Sequence, residues 1–268
     1  MIHLKSLKVR EIDARDTDSF PFHLELVKSL RGIEFTAPVT FLVGENGSGK
    51  STLLEALACA VESITVGSES VRTDKTLAPL RKLARHFQLS WQKRTHKGFF
   101  LRAEDFFGYA KQMRYTQEEM HQELDNVKRD YQDRSAYAAA LASMPYRGQL
   151  ADMERRYGDG LDHRSHGEGF LALFQSRFVP DGLYLLDEPE AALSPIRQLT
   201  FLSALKNMVA QESQFIIATH SPIILAFPQA QILLLQDGRM NEAQYDQLEH
   251  VVLTRDFLGN PDSFLRHL

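Results

Sequence analysis

Apolar residues recur along this chain in short dense runs, separated by stretches with helical periodicity. The run Val39-Thr40-Phe41-Leu42-Val43 is β-branched and apolar on both faces, the pattern of a strand covered on two sides. A glycine-rich turn follows. Lys50 to Ala60 then reads as a helix, with Leu53, Leu54, Leu57 and Val61 on one face. Strand-like runs return at Phe87 to Trp91, Gly98 to Leu101, Leu183 to Leu186, Phe215 to Ala218 and Ile232 to Leu235. Helical patterns lie between them, notably Pro195 to Val209. Alternation of this kind predicts an α/β fold.

The middle breaks the alternation. Residues 105–160 hold no strand pattern, and Thr116 with Glu119 predicts a capping box at a helix start. Met120, Leu124, Val127 and Tyr131 follow as a narrow apolar stripe. The expected organisation is one domain, 1–268. It comprises an N-terminal lobe (1–104), an inserted helical subdomain (105–164), a segment carrying further motifs (165–240) and a C-terminal helical tail (241–268).

Composition narrows the setting. The chain has 31 Lys and Arg against 35 Asp and Glu, a net charge of −4, which excludes a uniformly basic coat. One cysteine, Cys59, excludes an internal disulfide and a cysteine-built zinc site. No run approaches the roughly 18 apolar residues of a membrane span. The charged start lacks a signal-peptide core, and a cytoplasmic protein is expected.

Three segments carry chemistry. Gly44-Glu45-Asn46-Gly47-Ser48-Gly49-Lys50-Ser51 fits G-x-x-x-x-G-K-[ST] between a buried strand and a helix. Its glycines let successive N–H groups face phosphate oxygens, and the helix N-terminus adds positive potential. Lys50 supplies a cation for the β- and γ-phosphates of ATP, Ser51 a hydroxyl for Mg²⁺, and Thr52 follows in the first helical turn. The second segment, Gly182 to Pro189, is an apolar strand ending in Asp187 and Glu188. Such a strand delivers its last residues to the carboxyl edge of the sheet, where ligands bind. There Asp187 would help hold Mg²⁺ and Glu188 would act as general base on water. The third, Phe215 to Thr219, runs into His220, whose imidazole would meet the γ-phosphate. The 33 residues between Asp187 and His220 allow one crossover helix and a parallel neighbouring strand.

In this order the motifs resemble the ABC-type ATPases. Ser165-His166-Gly167-Glu168-Gly169 is similar to that family's signature and precedes an apolar helix, Phe170 to Phe178. The resemblance implies two chains packing head to tail, with Ser165, Gly167 and Glu168 of one meeting nucleotide held by the other. Glu190 and Ser194-Pro195 stand where transporter ATPases usually carry Thr and Asp. That loop and Ala218-Thr219-His220-Ser221-Pro222 look like the soluble branch: chromosome-maintenance, recombination-repair and phage-defence ATPases, and small stand-alone members. The family usually places a Mg²⁺-contacting Gln between phosphate loop and signature. Here Leu101-Arg102-Ala103-Glu104 stands in that place, so Glu104 or Gln92 would fill the role. Phe20 and Phe22 are the candidates for stacking on adenine.

From Val71 to Arg102 the chain carries nine basic residues against Asp74 alone, a local charge of +8. That points to a nucleic-acid phosphate surface, or else to a solvated face balanced by acids elsewhere. The expected function is an ATP-gated homodimer driving a DNA transaction or controlling an effector protein. The alternatives are a transporter ATPase subunit and a P-loop kinase.

Overall fold

The computed structural model describes residues 1–12, 19–66, 69–157, 171, 173, 174 and 176–266; side chains at 103, 104, 106, 107, 109–114 and 155–157 are also outside it. The N-terminal part runs β1 (Leu4–Val9), α1 (Glu25–Ser29), β2 (Gly32–Glu34), β3 (Val39–Gly44), α2 (Lys50–Ala60), α3 (Ala78–Ala84), β4 (Phe87–Trp91) and β5 (Phe100–Leu101). Two long helices follow, α4 (Ala103–Asp130) and α5 (Ala136–Tyr157). The chain then returns through β6 (Leu183–Asp187), α6 (Pro195–Ala210), β7 (Gln214–Ala218), α7 (Pro222–Leu225), β8 (Gln231–Gln236), β9 (Arg239–Glu242), α8 (Glu249–Gly259) and α9 (Pro261–Leu265).

The strands form two sheets. A six-stranded sheet has the order β5-β6-β7-β3-β8-β9 and is parallel except for its last edge strand. A three-stranded antiparallel sheet has the order β2-β1-β4. The chain adopts the expected α/β fold, and its N-terminal part adds the antiparallel sheet.

Period-two alternation divides the core between the faces of the parallel sheet. Leu42, Leu185, Ile216, Ala218 and Leu233 pack on the side of α2, with its Leu53, Leu54 and Leu57, and of β1. Phe41, Val43, Tyr184, Leu186, Phe215 and Ile217 pack on the side of α6, with its Phe201, Leu205 and Met208. Each Leu, Ile, Val, Phe or Met among them contributes about 1.5–3 kcal/mol on burial. Tyr184 and Phe215 stack at 4.9 Å between ring centres, and Phe174 meets Phe201 at 5.1 Å. The described residues of the expected 170–178 helix are mostly helical, with Leu173 and Phe174 buried.

The central strands put the site together. Leu42 and Asp187 both lie in register with Ala218, so β3, β7 and β6 end side by side. At roughly 4.8 Å between neighbouring strands, the loops after all three fall within about 10 Å of one another.

Two expectations shift. Thr116 lies inside α4, which begins at Ala103 directly after β5, so no capping box starts a helix there. The chain passes from β5 into α4 through Arg102 in extended conformation, with no side-chain cap from that residue. The strand expected from Gly98 shortens to Phe100–Leu101, since Gly98 has φ of 107°. Met120, Leu124 and Val127 of the stripe are half-buried on α4, which packs against α5, and Tyr131 is half-buried just past its end.

Candidate functional site

The phosphate loop bridges β3 and α2. Gly47 and Gly49 have φ of 81° and 95°, left-handed values that favour glycine, and they turn the loop into the N-terminus of α2. Lys50 is buried and donates through Nζ to Gly44 O at 2.7 Å and Glu45 O at 2.9 Å. Burial pulls its ammonium below the usual lysine range, while Glu188, Asp187 and Glu190 push it back up. Ser48 Oγ is buried without a hydrogen-bond partner, a donor left over for a ligand.

The carboxylates arrive on β6, all five of whose residues are buried. Asp187 Oδ1 accepts from Ser51 Oγ at 3.2 Å, joining the end of β6 to the first turn of α2. Burial raises the Asp187 carboxyl to about 7; the Ser51 bond opposes this, Glu188 and Glu55 add like charge, and Lys50 attracts. Two hard oxygen donors therefore converge where negative charge is under-compensated. That donor set fits Mg²⁺, with Ser51 and Asp187 as the protein ligands. Glu188 is in the left-handed region, at φ 46° and ψ 54°. Its N–H donates to Ala218 O at 2.9 Å. A non-glycine residue held there is strained, and strain of this kind gathers at active sites.

His220 follows β7. Its Nε2 is buried without a hydrogen-bond partner. Burial and then Lys50 pull its imidazole below the usual histidine range, against Glu188. The ring is therefore neutral at pH 7, and Lys50 and Glu188 lie within electrostatic reach of it.

The sequence had singled out Glu190 only as a departure from a pattern. In the structure its Oε1 accepts from Thr219 Oγ1 at 2.7 Å, His220 N at 2.7 Å and Ser221 N at 3.2 Å. Its acidity in the D-E-P-E run was the signal available.

Other expectations fare differently. Ser165, Gly167 and Glu168 lie outside the described residues, as does the Glu104 side chain, although its backbone is in the first turn of α4 beside the parallel sheet. Gln92 follows β4 in the antiparallel sheet, its N–H on His3 O at 2.8 Å. Phe22 is a core residue at 2% exposure, edge-on to His86, whereas Phe20 is exposed.

The basic stretch does not form one surface. Arg102 is buried, and its guanidinium meets Asp105 at 2.8 Å, Asp74 at 3.1 Å and Glu55 at 3.3 Å. Lys93 pairs with Asp181 at 2.6 Å, and Lys97 approaches the same carboxylate. Arg72, Arg81, Arg85 and Arg94 instead line a groove of about 410 Å³ together with Glu62 and Cys59. Arg72 pairs there with Glu62 at 2.6 Å, and Arg81 donates to Val71 O and Asp74 O.

No described helix is long and apolar enough to cross a membrane. The family described as "AAA domain, putative AbiEii toxin, Type IV TA system" matches residues 70–226, and a second "AAA domain" family matches residues 22–86. An "uncharacterized ABC transporter ATP-binding protein" of Haemophilus influenzae is 28% identical, covering 88% of this chain and 86% of its own. The "hemin import ATP-binding protein HmuV" of Pseudomonas entomophila is 30% identical, covering 74% and 72%. Among solved structures, cbiO1 of Clostridium perfringens, part of the transporter complex cbiONQ, is 16% identical over 100% of both chains with a TM-score of 0.47. The first family spans well over half of the chain, and together the two families run from before the phosphate loop to beyond His220: the chain belongs to the AAA-domain, ABC-type P-loop ATPases.

Proposed function

We propose that the chain is a Mg²⁺-dependent ATPase that works as a switch, two copies closing head to tail over ATP and opening after hydrolysis. The observation that carries this reading is the convergence of Lys50, Ser51, Asp187, Glu188 and His220 at one sheet edge. Two of its polar groups, Ser48 Oγ and His220 Nε2, are buried without partners. In this reading the backbone N–H groups of 44–52 and Lys50 hold the β- and γ-phosphates. A bound Mg²⁺, on Ser51 and Asp187, would neutralise charge on the phosphates. Glu188 takes the proton of the attacking water, and neutral His220 orients that water and contacts the γ-phosphate. Ser165, Gly167 and Glu168 of the second copy would close over the same phosphate, and Glu104 would complete the Mg²⁺ shell. ATP then acts as a ligand that favours the closed pair over the open one.

The output we favour is a cytoplasmic one, a nucleic-acid transaction or control of an effector protein. The four-arginine groove supports it, since its net charge of +3 stands on a chain of net charge −4. A second reading, the ATPase subunit of a transporter, is supported by the names of the two curated relatives. ATP turnover that rises with added single-stranded DNA, and that falls when Arg85 and Arg94 are replaced by Ala, supports the first. Co-purification with a membrane protein, and turnover indifferent to DNA, supports the second.

A further inference from the structure

We infer that Glu190 is a positioning residue of the loop after β7, holding His220 in place beside the turn that presents Glu188. The inference rests on the ATPase reading and adds a part to it.

The loop after β7 is short, and outside Glu190 its backbone is tied to the sheet through Thr219 N on Leu42 O at 3.2 Å. Only Thr219, His220 and Ser221 separate the strand from Pro222, and α7 is a single turn. A cleft of about 760 Å³ flanks the loop, lined by Glu190, Gln198, Leu202, His220, Ser221 and Val251, among others. Packing on that side leaves room for movement. The His220 ring has no hydrogen bond at Nε2, so its aim depends on where its backbone is held.

Glu190 supplies that hold. A single carboxylate oxygen takes three donors from three consecutive residues, two of them backbone N–H groups, and Ser221 N is shared with Thr219 Oγ1 at 3.0 Å. The Ser221 hydroxyl then donates to Gln198 Oε1, Gln198 Nε2 donates to Leu193 O at 3.1 Å, and Leu193 N donates to Glu190 O at 2.8 Å. The ring of bonds closes on the residue where it began. Burial pushes the Glu190 carboxyl above its ordinary range, against those bonds, so the charge sits there at a cost. The other oxygen, Oε2, is buried with no partner, which leaves the loop as the contact that the carboxylate serves.

The position in the chain matters as much as the bonds. Glu188 and Glu190 flank Pro189, whose ring fixes one backbone angle. Glu188 N bonds Ala218 O, and Glu190 bonds the next three residues of the same strand end. The turn that presents the general base is thereby stitched to the turn that presents the histidine. The phosphate loop takes no part in this stitch, so ATP binding and the alignment of base and histidine are separable.

The test measures phosphate release and equilibrium binding of a fluorescent ATP analogue. The set is wild type, Glu190→Ala, Glu190→Gln, Thr219→Val, His220→Ala and Glu190→Ala with His220→Ala, with Glu188→Gln as control. Glu190→Ala is expected to lower kcat roughly 100-fold, the scale of a misplaced catalytic group, with affinity for the analogue changed less than about threefold. Glu190→Gln keeps an oxygen at the Oε1 position and should recover most of that loss. Thr219→Val removes one donor of three and should give a smaller fall at an unchanged melting temperature, which keeps the test open if Glu190→Ala folds poorly. In the His220→Ala background Glu190→Ala should cost nothing further, because both act through one group. Wild-type kcat in Glu190→Ala, no rescue by Gln, or losses that add with His220→Ala would overturn the inference. If Glu188→Gln turns over normally, the ATPase reading falls and takes the inference with it. Additive losses beside an inactive Glu188→Gln would sink the inference alone.

Discussion

Two buried charged clusters in this protein are built in opposite ways. At Arg102, one guanidinium meets three carboxylates, Asp74, Asp105 and Glu55, at the join between β5 and α4. Burial alone would raise the Asp74 carboxyl, yet bonds from Thr76 and the charge of Arg102 hold it below its ordinary value. At the sheet edge the balance reverses. Asp187 has one hydroxyl for a partner and sits beside Glu188 and Glu55, so its carboxyl rises to about 7. In the first cluster every carboxylate has a direct ion pair with the guanidinium, which ties α2, the turn at Asp74 and α4 together. The second is left short of positive charge, as a site awaiting a cation and an anionic ligand would be.

Breaking the satisfied cluster should have the largest effect on stability. Arg102→Ala leaves three carboxylates without their common partner and is expected to cost about 3–5 kcal/mol, read by urea denaturation. A change below about 1 kcal/mol would show the cluster to be ornamental. Breaking the unsatisfied cluster should spare stability and damage chemistry. Glu188→Gln is expected to lower ATP turnover by about 10²–10⁴-fold while ATP binding is kept.

A smaller effect has the unusual sign. The folded-state carboxyl of Asp187 titrates near 7, above its unfolded value of 3.8. The folded protein therefore binds the extra proton between those values, and this group's contribution to stability falls as pH rises through them. Asp187→Asn should accordingly melt higher than wild type at pH 7 without nucleotide, by at least ~2 °C, roughly 1 kcal/mol. The gap should vanish near pH 4, and a lower melting temperature at pH 7 would contradict the picture. The smallest stability effect belongs to the groove. Arg85→Ala and Arg94→Ala should each shift stability by less than about 0.5 kcal/mol. If single-stranded DNA binds there, each should also reduce the salt slope of its affinity by roughly 0.7.

The site's elements were legible because glycine, proline and dense apolar runs mark them locally. Lys50 to Ala60 is helical as its spacing predicts, and β4 has the predicted bounds. Asp187 and His220 reach one edge because buried strands carry them there. What the sequence hid depends on long-range placement. Arg102 counts as one of nine cations along the chain, but Glu55 of α2, Asp105 of α4 and Asp74 of the turn before α3 gather around it, and it leaves the surface. Glu190 stands 29 residues from Thr219, and nothing local says that they touch. The start of α4 was missed because the helix follows β5 directly and Arg102, at its cap position, is not a capping residue type.

The central claim is that ATP at this edge joins two copies of the chain. Sedimentation velocity of Glu188→Gln, with and without Mg²⁺ and ATP, tests it most directly. A monomer without nucleotide and a dimer with it are expected, the dimer being lost on adding Ser165→Arg. A protein that sediments as a monomer in both conditions while binding ATP would contradict it.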